Sequence, residues 1–296
     1  MHEQVKWTHL TVRQIAGHLA AMGTPASRRV VKQLLRKHGY RKRKARKSQA
    51  MGENPDRGAQ FQNIARLKEQ YLAAGEPVIS IDTKKRELLG NFYRAGTLYT
   101  QETIQTFDHD FPSAATGVVV PHGIYDLKEN LGHINLGVSH DTSQFACDSV
   151  ERWWREHGQK QYPHATRVLV LCDGGGSNSA NRHIFKQDLQ ELATRIGLEI
   201  RVAHYPPYCS KYNPIEHRMF PHVTRACQGV VFHTIGIVKQ LMERASTAQG
   251  LKVTVDILDK AYQTGRKCVD GFKETMRIVF DDFLPKWNYR AIPNTA

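Results

Sequence analysis

Three acidic residues stand at positions that favour chemistry. Asp82 closes the run VISID and Asp173 closes VLVLCD. Each run is continuously apolar, the pattern of a strand buried on both faces, and each carries its acid at the carboxyl end. Ligands of open α/β sheets bind just beyond those ends. If the two strands are parallel neighbours, the carboxylates stand side by side and raise each other's pKa unless a cation sits between them. All-oxygen ligation with no nearby Cys/His set suits Mg²⁺ or Mn²⁺. Taken singly, either Asp reads first as a turn residue at a strand end. The pair is what asks for a metal.

The third acid, Glu216, lies in SKYNPIEHR. Asn213 can cap a helix, Pro214 suits its first position, and Glu216 falls at the third. Two jobs are open to that glutamate: closing a capping box on the Asn213 amide, or pointing outward as a catalytic carboxylate. Cations flank the acids. Lys84 and Lys85 follow Asp82, while Lys211, His217 and Arg218 surround Glu216. All are candidate phosphate contacts, and strand-end lysines are as often merely solvated. Asp110, Asp126 and Asp141 are spare acids, and Asp141, after an apolar strand, is the first substitute. Glycines 174–176 match neither Gly-x-Gly-x-x-Gly nor a phosphate loop ending in Gly-Lys-Ser/Thr. They read as room for close approach to Asp173.

The elements that must position these residues follow from periodicity. Strands are expected at VISID, LGNFYR, somewhere between 98 and 107, GVVVPHGIYD, INLGVSHD, VLVLCD and LEIRVAHYPP, with helices over 60–73, 145–157 and 181–196. Beyond 234 the chain reads as mostly helical, apart from LKVTVDI and a closing WNYRAIP. The expected class is α/β, a mixed sheet with antiparallel strands first and βαβ units later.

Charge singles out the amino-terminal sixth. Residues 1–50 hold 13 Lys/Arg against one acid, Glu3, so +12 of the +14 net charge lies there. A helix over 11–22 ends at Gly23, and a second from Ser27 to Gly39 is expected to bury Val30, Val31, Leu34 and Leu35. Its outer face carries Arg28, Arg29, Lys32, Arg36 and Lys37. Two short helices, one basic outside, suggest a helix-turn-helix that binds DNA. The arm Arg41, Lys42, Arg43, Lys44, Arg46, Lys47 is too charged to pack and suits phosphates. The expected organisation is a DNA-binding domain with its arm over 1–47, a linker over 48–59 and a catalytic domain over 60–296 with a helical extension.

Five cysteines, none spaced Cys-x-x-Cys, fit a reducing cytosol, and 15 histidines form no metal-binding motif. With no apolar run of membrane-spanning length and no apolar leader core, a soluble cytoplasmic protein is expected, with no membrane partner.

DTKKRELLGNFYR, HDF, GIYDL, SHDTSQFA, ERWW, CDGGGSN, SKYNPIEHR and WNYR occur in this order. The string resembles the Rhodopirellula-type DDE transposases of bacterial insertion sequences, over residues 8 to about 293, and more distantly the mariner-like transposases. The resemblance implies a ribonuclease H-like fold with sheet order 3-2-1-4-5, and Asp82, Asp173 and Glu216 as catalytic acids and metal ligands. It implies two Mg²⁺ or Mn²⁺ ions, bridged by Asp82 and steadied by Asp173 and Glu216. Hydrolysis at an element end then releases a 3′-OH, which attacks target DNA without a covalent protein intermediate. The partners implied are double-stranded DNA, both terminal repeats and target, and further copies of the chain as a dimer or larger assembly at the nucleoid. Longer family members imply sequence ahead of the helix-turn-helix. Two other readings compete: a metal-dependent nuclease of the same fold, and a helix-turn-helix regulator with an α/β sensor domain. The positions of the three carboxylates separate the enzymes from the regulator.

Overall fold

A computed structural model describes residues 7–44, 54–180 and 182–294. The chain divides into two compact units, Met1–Gln49 and Ala50–Ala296. Among the described residues, no helix is long and apolar enough to cross a membrane.

The smaller unit holds α1 (Val12–Ala21) and α2 (Arg28–Lys37). Thr11 and Gln14 form the expected capping box, and Ser27 caps α2 through the Val30 amide at 3.3 Å. The expected four-residue core of α2 is corrected. Only Val31 is buried, while Val30 and Leu34 are 42% and 43% exposed. Two ten-residue helices enclose too little volume to cover a full apolar stripe. Arg28, Arg29, Lys32, Arg36, Lys37 and residues 41–44 are all exposed; Arg46 and Lys47 lie outside the described residues.

The larger unit opens with α3 (Arg57–Ala73), three residues earlier than periodicity suggests. Then come β1 (Val78–Thr83), β2 (Glu87–Leu89), β3 (Gly117–Asp126) and β4 (Leu131–Gly137). Helix α4 (Ser143–Trp153) continues through a π turn at Trp154–Gly158 into the single turn α5 (Gln159–Gln161). β5 (Arg167–Asp173), α6 (His183–Ile196) and β6 (Glu199–Tyr205) form the βαβ unit. After α7 (Pro214–Arg218), α8 (Phe220–Ala226) and α9 (Ile235–Glu243), the chain returns as β7 (Lys252–Leu258), the short α10 (Phe272–Thr275), β8 (Ile278–Phe280) and β9 (Asn288–Ala291).

The sheet runs β7-β4-β3-β1-β5-β6-β9-β8, with β2 beside β3. Its centre, β4-β3-β1-β5-β6, has β3 antiparallel to both neighbours and β1, β5 and β6 parallel. Leaving aside the three-residue β2, that is the 3-2-1-4-5 order of the ribonuclease H-like fold.

Alternation sends the two sides of β1 to different layers. Ile79 and Ile81 pack with Cys147 and Val150 of α4 and Phe185 and Leu189 of α6. Val78 joins Leu169 and Leu171 of β5 against Ile64, Leu67 and Tyr71 of α3. Two expectations fail here. LGNFYR and 98–107 are not strands, because the chain leaves the sheet at Leu89 and Gly90 turns at φ 131°. The carboxyl-terminal part is not mostly helical either: β9 pairs antiparallel with β6 and fills what would be an open edge.

Candidate active site

β1 and β5 pair in parallel, with Val78 beside Leu169 and Ser80 beside Leu171. Carrying that register on two residues sets Asp82 level with Asp173. Both side chains share the parity of Val78 and Leu171, so they leave the sheet on the α3 face. The same face receives α7. Asp82 pairs across β3 with Gly123, and a Cβ there would meet Met219 Cε and Phe220 Cε1 at 2.7 Å and Ile215 Cδ1 at 2.8 Å. The glycine lets α7 and the start of α8 lie directly on β3, beside the strand that carries the first acid.

A buried polar rivet fixes α7. Ser80 Oγ donates to Asn213 Oδ1 at 2.5 Å and accepts from the Ile215 amide at 3.0 Å. Asn213 Nδ2 donates to the Ile81 carbonyl at 3.0 Å. Asn213 stands at the N-cap position, yet its side chain makes no cap bond to its own helix. Ser80 supplies that acceptor from the neighbouring strand instead. The capping-box role for Glu216 is excluded as well, because the Asn213 amide donates to the Ser210 carbonyl at 2.8 Å. The carboxylate of Glu216 lies within hydrogen-bonding reach of Asp82. Helix α7 lasts only five residues and breaks at Met219, so His217 and His222 belong to different helices.

Close packing of like charges marks the cluster. The Asp82 carboxyl is pushed up to about 8, first by burial, then by the charge of Asp173 and by Glu216; the Thr83 amide, 2.8 Å from its Oδ1, opposes this. Asp173 is also raised, mainly by burial, with Glu216 and Asp141 adding to it and the Gly175 amide working against it. Such a group of oxygens is costly to ionise in isolation and fits a hard divalent cation, which removes the repulsion. A tighter set of three metal-capable groups, within 4.8 Å of one another, occurs at Glu156, His157 and Asp256. There Arg152 already neutralises both carboxylates, at 2.9 and 3.6 Å.

Support comes from the far end of the chain. His204, buried and held neutral by desolvation with its pKa lowered to about 4, contacts the Asp173 carbonyl through Nδ1 at 3.0 Å. Its Nε2 meets Tyr289 Oη at 2.8 Å. Trp287 lies over Gly174, where a Cβ would meet its ring at 3.2 Å. Asn288 joins Gln60 and Asn63 of α3 in a buried amide network, at 2.8 and 2.9 Å. These contacts account for the nearness of WNYR and CDGGG, which lie far apart in sequence.

The flanking cations divide. Lys84 is committed to Glu87 at 2.5 Å, with Arg94 on the other carboxylate oxygen at 2.7 Å, so a free phosphate contact from Lys84 is not what the geometry offers. Lys85 is exposed and lines a groove of about 400 Å³ with Arg86 and Asp141. Lys211 and Arg218 are exposed. Arg218 also acts on Lys68 of α3, whose ammonium pKa falls through burial and that neighbouring charge. Sequence reading passed over Lys68, which there was only one charged residue on an amphipathic helix. It also passed over Ser80, although a lone polar residue inside an apolar strand was the available signal. Of the spare acids, Asp126 is occupied by Tyr162 Oη at 2.8 Å and two backbone amides, a structural role, and Asp141 reaches Thr83 Oγ1 at 3.2 Å.

A family model for the Rhodopirellula transposase DDE domain matches residues 1–293. The chain belongs to that family. It is a DDE-type DNA transposase, an enzyme of the polynucleotidyl transferase and endonuclease class, and neither competing reading is favoured. No curated protein matches it. Among solved structures, the Mos1 transposase paired-end complex with left transposon end is 13% identical, covering 81% of this chain and 72% of that one at TM-score 0.49. The Mos1 mariner paired end complexes with Mn and with Mg are 14% and 15% identical, covering 80% and 78% of this chain and 72% and 65% of theirs, at TM-scores 0.47 and 0.48. Likenesses of that size are weak, and the fold stands on the observed strand order.

Proposed function

We propose that Asp82, Asp173 and Glu216 form the catalytic centre of this transposase and hold two divalent ions, Mg²⁺ or Mn²⁺. The observation that carries this reading is the Ser80–Asn213 rivet, which anchors the start of α7 two residues from Asp82 and so turns Glu216 toward the strand-end acids. Asp82, at the end of the central strand, would hold the ions together with Asp173 and Glu216. Bound there, the cations supply Lewis acidity that activates the attacking oxygen and stabilises the leaving one.

The protein's own part is positioning. Neutral His204 and the Gly175 amide steady Asp173, and Ser80 steadies Glu216 through α7. Exposed Lys85 and Arg86 on one flank, and Lys68, Lys211 and Arg218 on the other, hold the phosphates of the reacting strand. Water attacks first to free a 3′-OH at the element end, and that hydroxyl then attacks target DNA. In the smaller unit, the cations of α2 and the basic arm bind double-stranded terminal-repeat DNA as a helix-turn-helix. Joining two ends requires a dimer or larger assembly of this chain.

The deciding experiment uses element-end DNA with Mg²⁺. Asp173→Asn is expected to keep end binding and to lose both cleavage and strand transfer. Retained cleavage overturns the assignment of Asp173, and cleavage without strand transfer by the unaltered protein favours a plain nuclease.

A further inference from the structure

The acids of the proposed centre all approach from the α3 and α7 side of the sheet. Asp141 comes from the other side. Thr83 has opposite parity to Asp82 and pairs across β3 with His122. The His122 ring lies 5.7 Å from that of Phe145 in α4, so this face looks toward α4. Asp141 sits in the loop that leads into α4, two residues before its first turn. Its Oδ1 accepts from Thr83 Oγ1 at 3.2 Å. Ser177, in the short 3₁₀ turn Gly176–Asn178 that follows Asp173, acts on the same carboxylate, which burial pushes up and Ser177 and Thr83 pull down.

One carboxylate therefore links the residue after Asp82 to the loop after Asp173. The loop needs such a tie. Gly174, Gly175 and Gly176 carry no side chains to pack, Gly176 adopts φ 58°, and a Cβ on Gly175 or Gly176 would touch nothing within 4 Å. Glycine-rich backbone of this kind loses the most freedom when ordered. The parallel ladder between β1 and β5 ends at Ser80 and Leu171, two residues short of the acids, so it does not itself hold their spacing.

We infer that Asp141 is a positioning residue of the metal centre, tying the end of β1 to the glycine-rich loop and thereby setting the separation of Asp82 from Asp173. It works by accepting hydrogen bonds and is not a metal ligand. The inference rests on the assignment of Asp82 and Asp173 as ligands, and the test keeps the two claims apart. Groups that orient metal ligands typically change metal affinity by about 10–100-fold when removed.

The test is Mn²⁺ titration of the full-length chain without DNA, read by the electron paramagnetic resonance of the free ion, with melting temperatures recorded in parallel. Asp141→Ala is expected to weaken Mn²⁺ binding by about 10–100-fold. Asp141→Asn keeps an acceptor oxygen for Thr83 and Ser177 without the charge, and is expected to stay within about threefold of the unaltered protein on the same scale. Should Asp141→Ala fail to fold, the double variant Thr83→Val with Ser177→Ala removes both hydroxyls that act on this carboxylate and is expected to show the same loss. Unchanged affinity in whichever of these variants folds overturns the inference. So does an equal loss in Asp141→Asn, which would make the charge itself the working part. Asp173→Asn is the separate control: if it leaves Mn²⁺ binding intact, the ligand assignment fails, independent of Asp141.

Discussion

Replacing Asp82 by Asn should stabilise the metal-free protein while abolishing its chemistry. Burial first, then the neighbouring Asp173 and Glu216, push the Asp82 carboxyl up from 3.8 to about 8. A carboxyl raised in this way costs nothing below about pH 4, where it is protonated folded and unfolded alike. From there to about pH 8 the unfolded chain ionises first, so stability falls as pH rises. At about 1.36 kcal/mol per pH unit the full interval corresponds to a nominal 5–6 kcal/mol. Asp82 keeps some contact with water and its shift is shared with the neighbouring acids, so about 1–3 kcal/mol is the working expectation. For a domain of this size that is about 2–10 °C in melting temperature. The assay is thermal unfolding in EDTA at pH 4, 6 and 8, comparing the unaltered protein with Asp82→Asn. The variant should melt higher at pH 8, by less at pH 6, and level with the unaltered protein at pH 4. Millimolar Mg²⁺ should reverse the order at pH 8 by stabilising only the protein that keeps its ligand. A variant no more stable at pH 8, or a gain that does not change with pH, would refute the claim that the acids repel one another in the ion-free site.

Ser80→Ala leaves Asn213 Oδ1 and the Ile215 amide without a buried partner. It is expected to cost about 2–4 kcal/mol in urea unfolding and to lower cleavage at least tenfold with all three acids intact. Gly123→Ala forces the Phe220 ring and the tips of Ile215 and Met219 away from β3. A cost of about 1–3 kcal/mol and reduced cleavage should follow, and normal activity would argue against α7 being held by close approach to β3. Neutralising the basic residues of 41–47 should weaken end-DNA binding and flatten its log–log salt dependence by about 0.9 for each phosphate no longer neutralised. An unchanged slope would show that the arm does not touch DNA.

Several features were legible in the amino-acid sequence. GVVVPHGIYD coincides with β3 residue for residue, and α6 and β6 fall within two residues of expectation, because their apolar periods are long and their ends carry turn signals. The segments misread were those where neighbours decide. LGNFYR has strand-like composition but leaves the sheet after Leu89, while β8, in a stretch expected to be helical, becomes a strand because β9, itself paired to β6, offers it an edge. Val30 and Leu34 follow helical spacing, yet a pair of ten-residue helices leaves them exposed.

The sequence by itself determined which residues could bind a hard cation, and that two of them end buried strands, since apolar run length and a terminal acid are local properties. Local grammar also determined where α7 begins: Pro214 has no amide to donate and suits a first helical turn. It could not determine what Glu216 does. The side chain of Asn213 was as free to cap its own helix as to reach elsewhere, and only the nearness of Ser80, 133 residues away in the chain, chose between them. The parallel pairing of β1 with β5, the glycine that admits α7, and Asp141 from the opposite face are likewise properties of packing. A carboxylate becomes part of a metal centre through its distance from other carboxylates, and those distances are set by contacts between segments far apart in the chain.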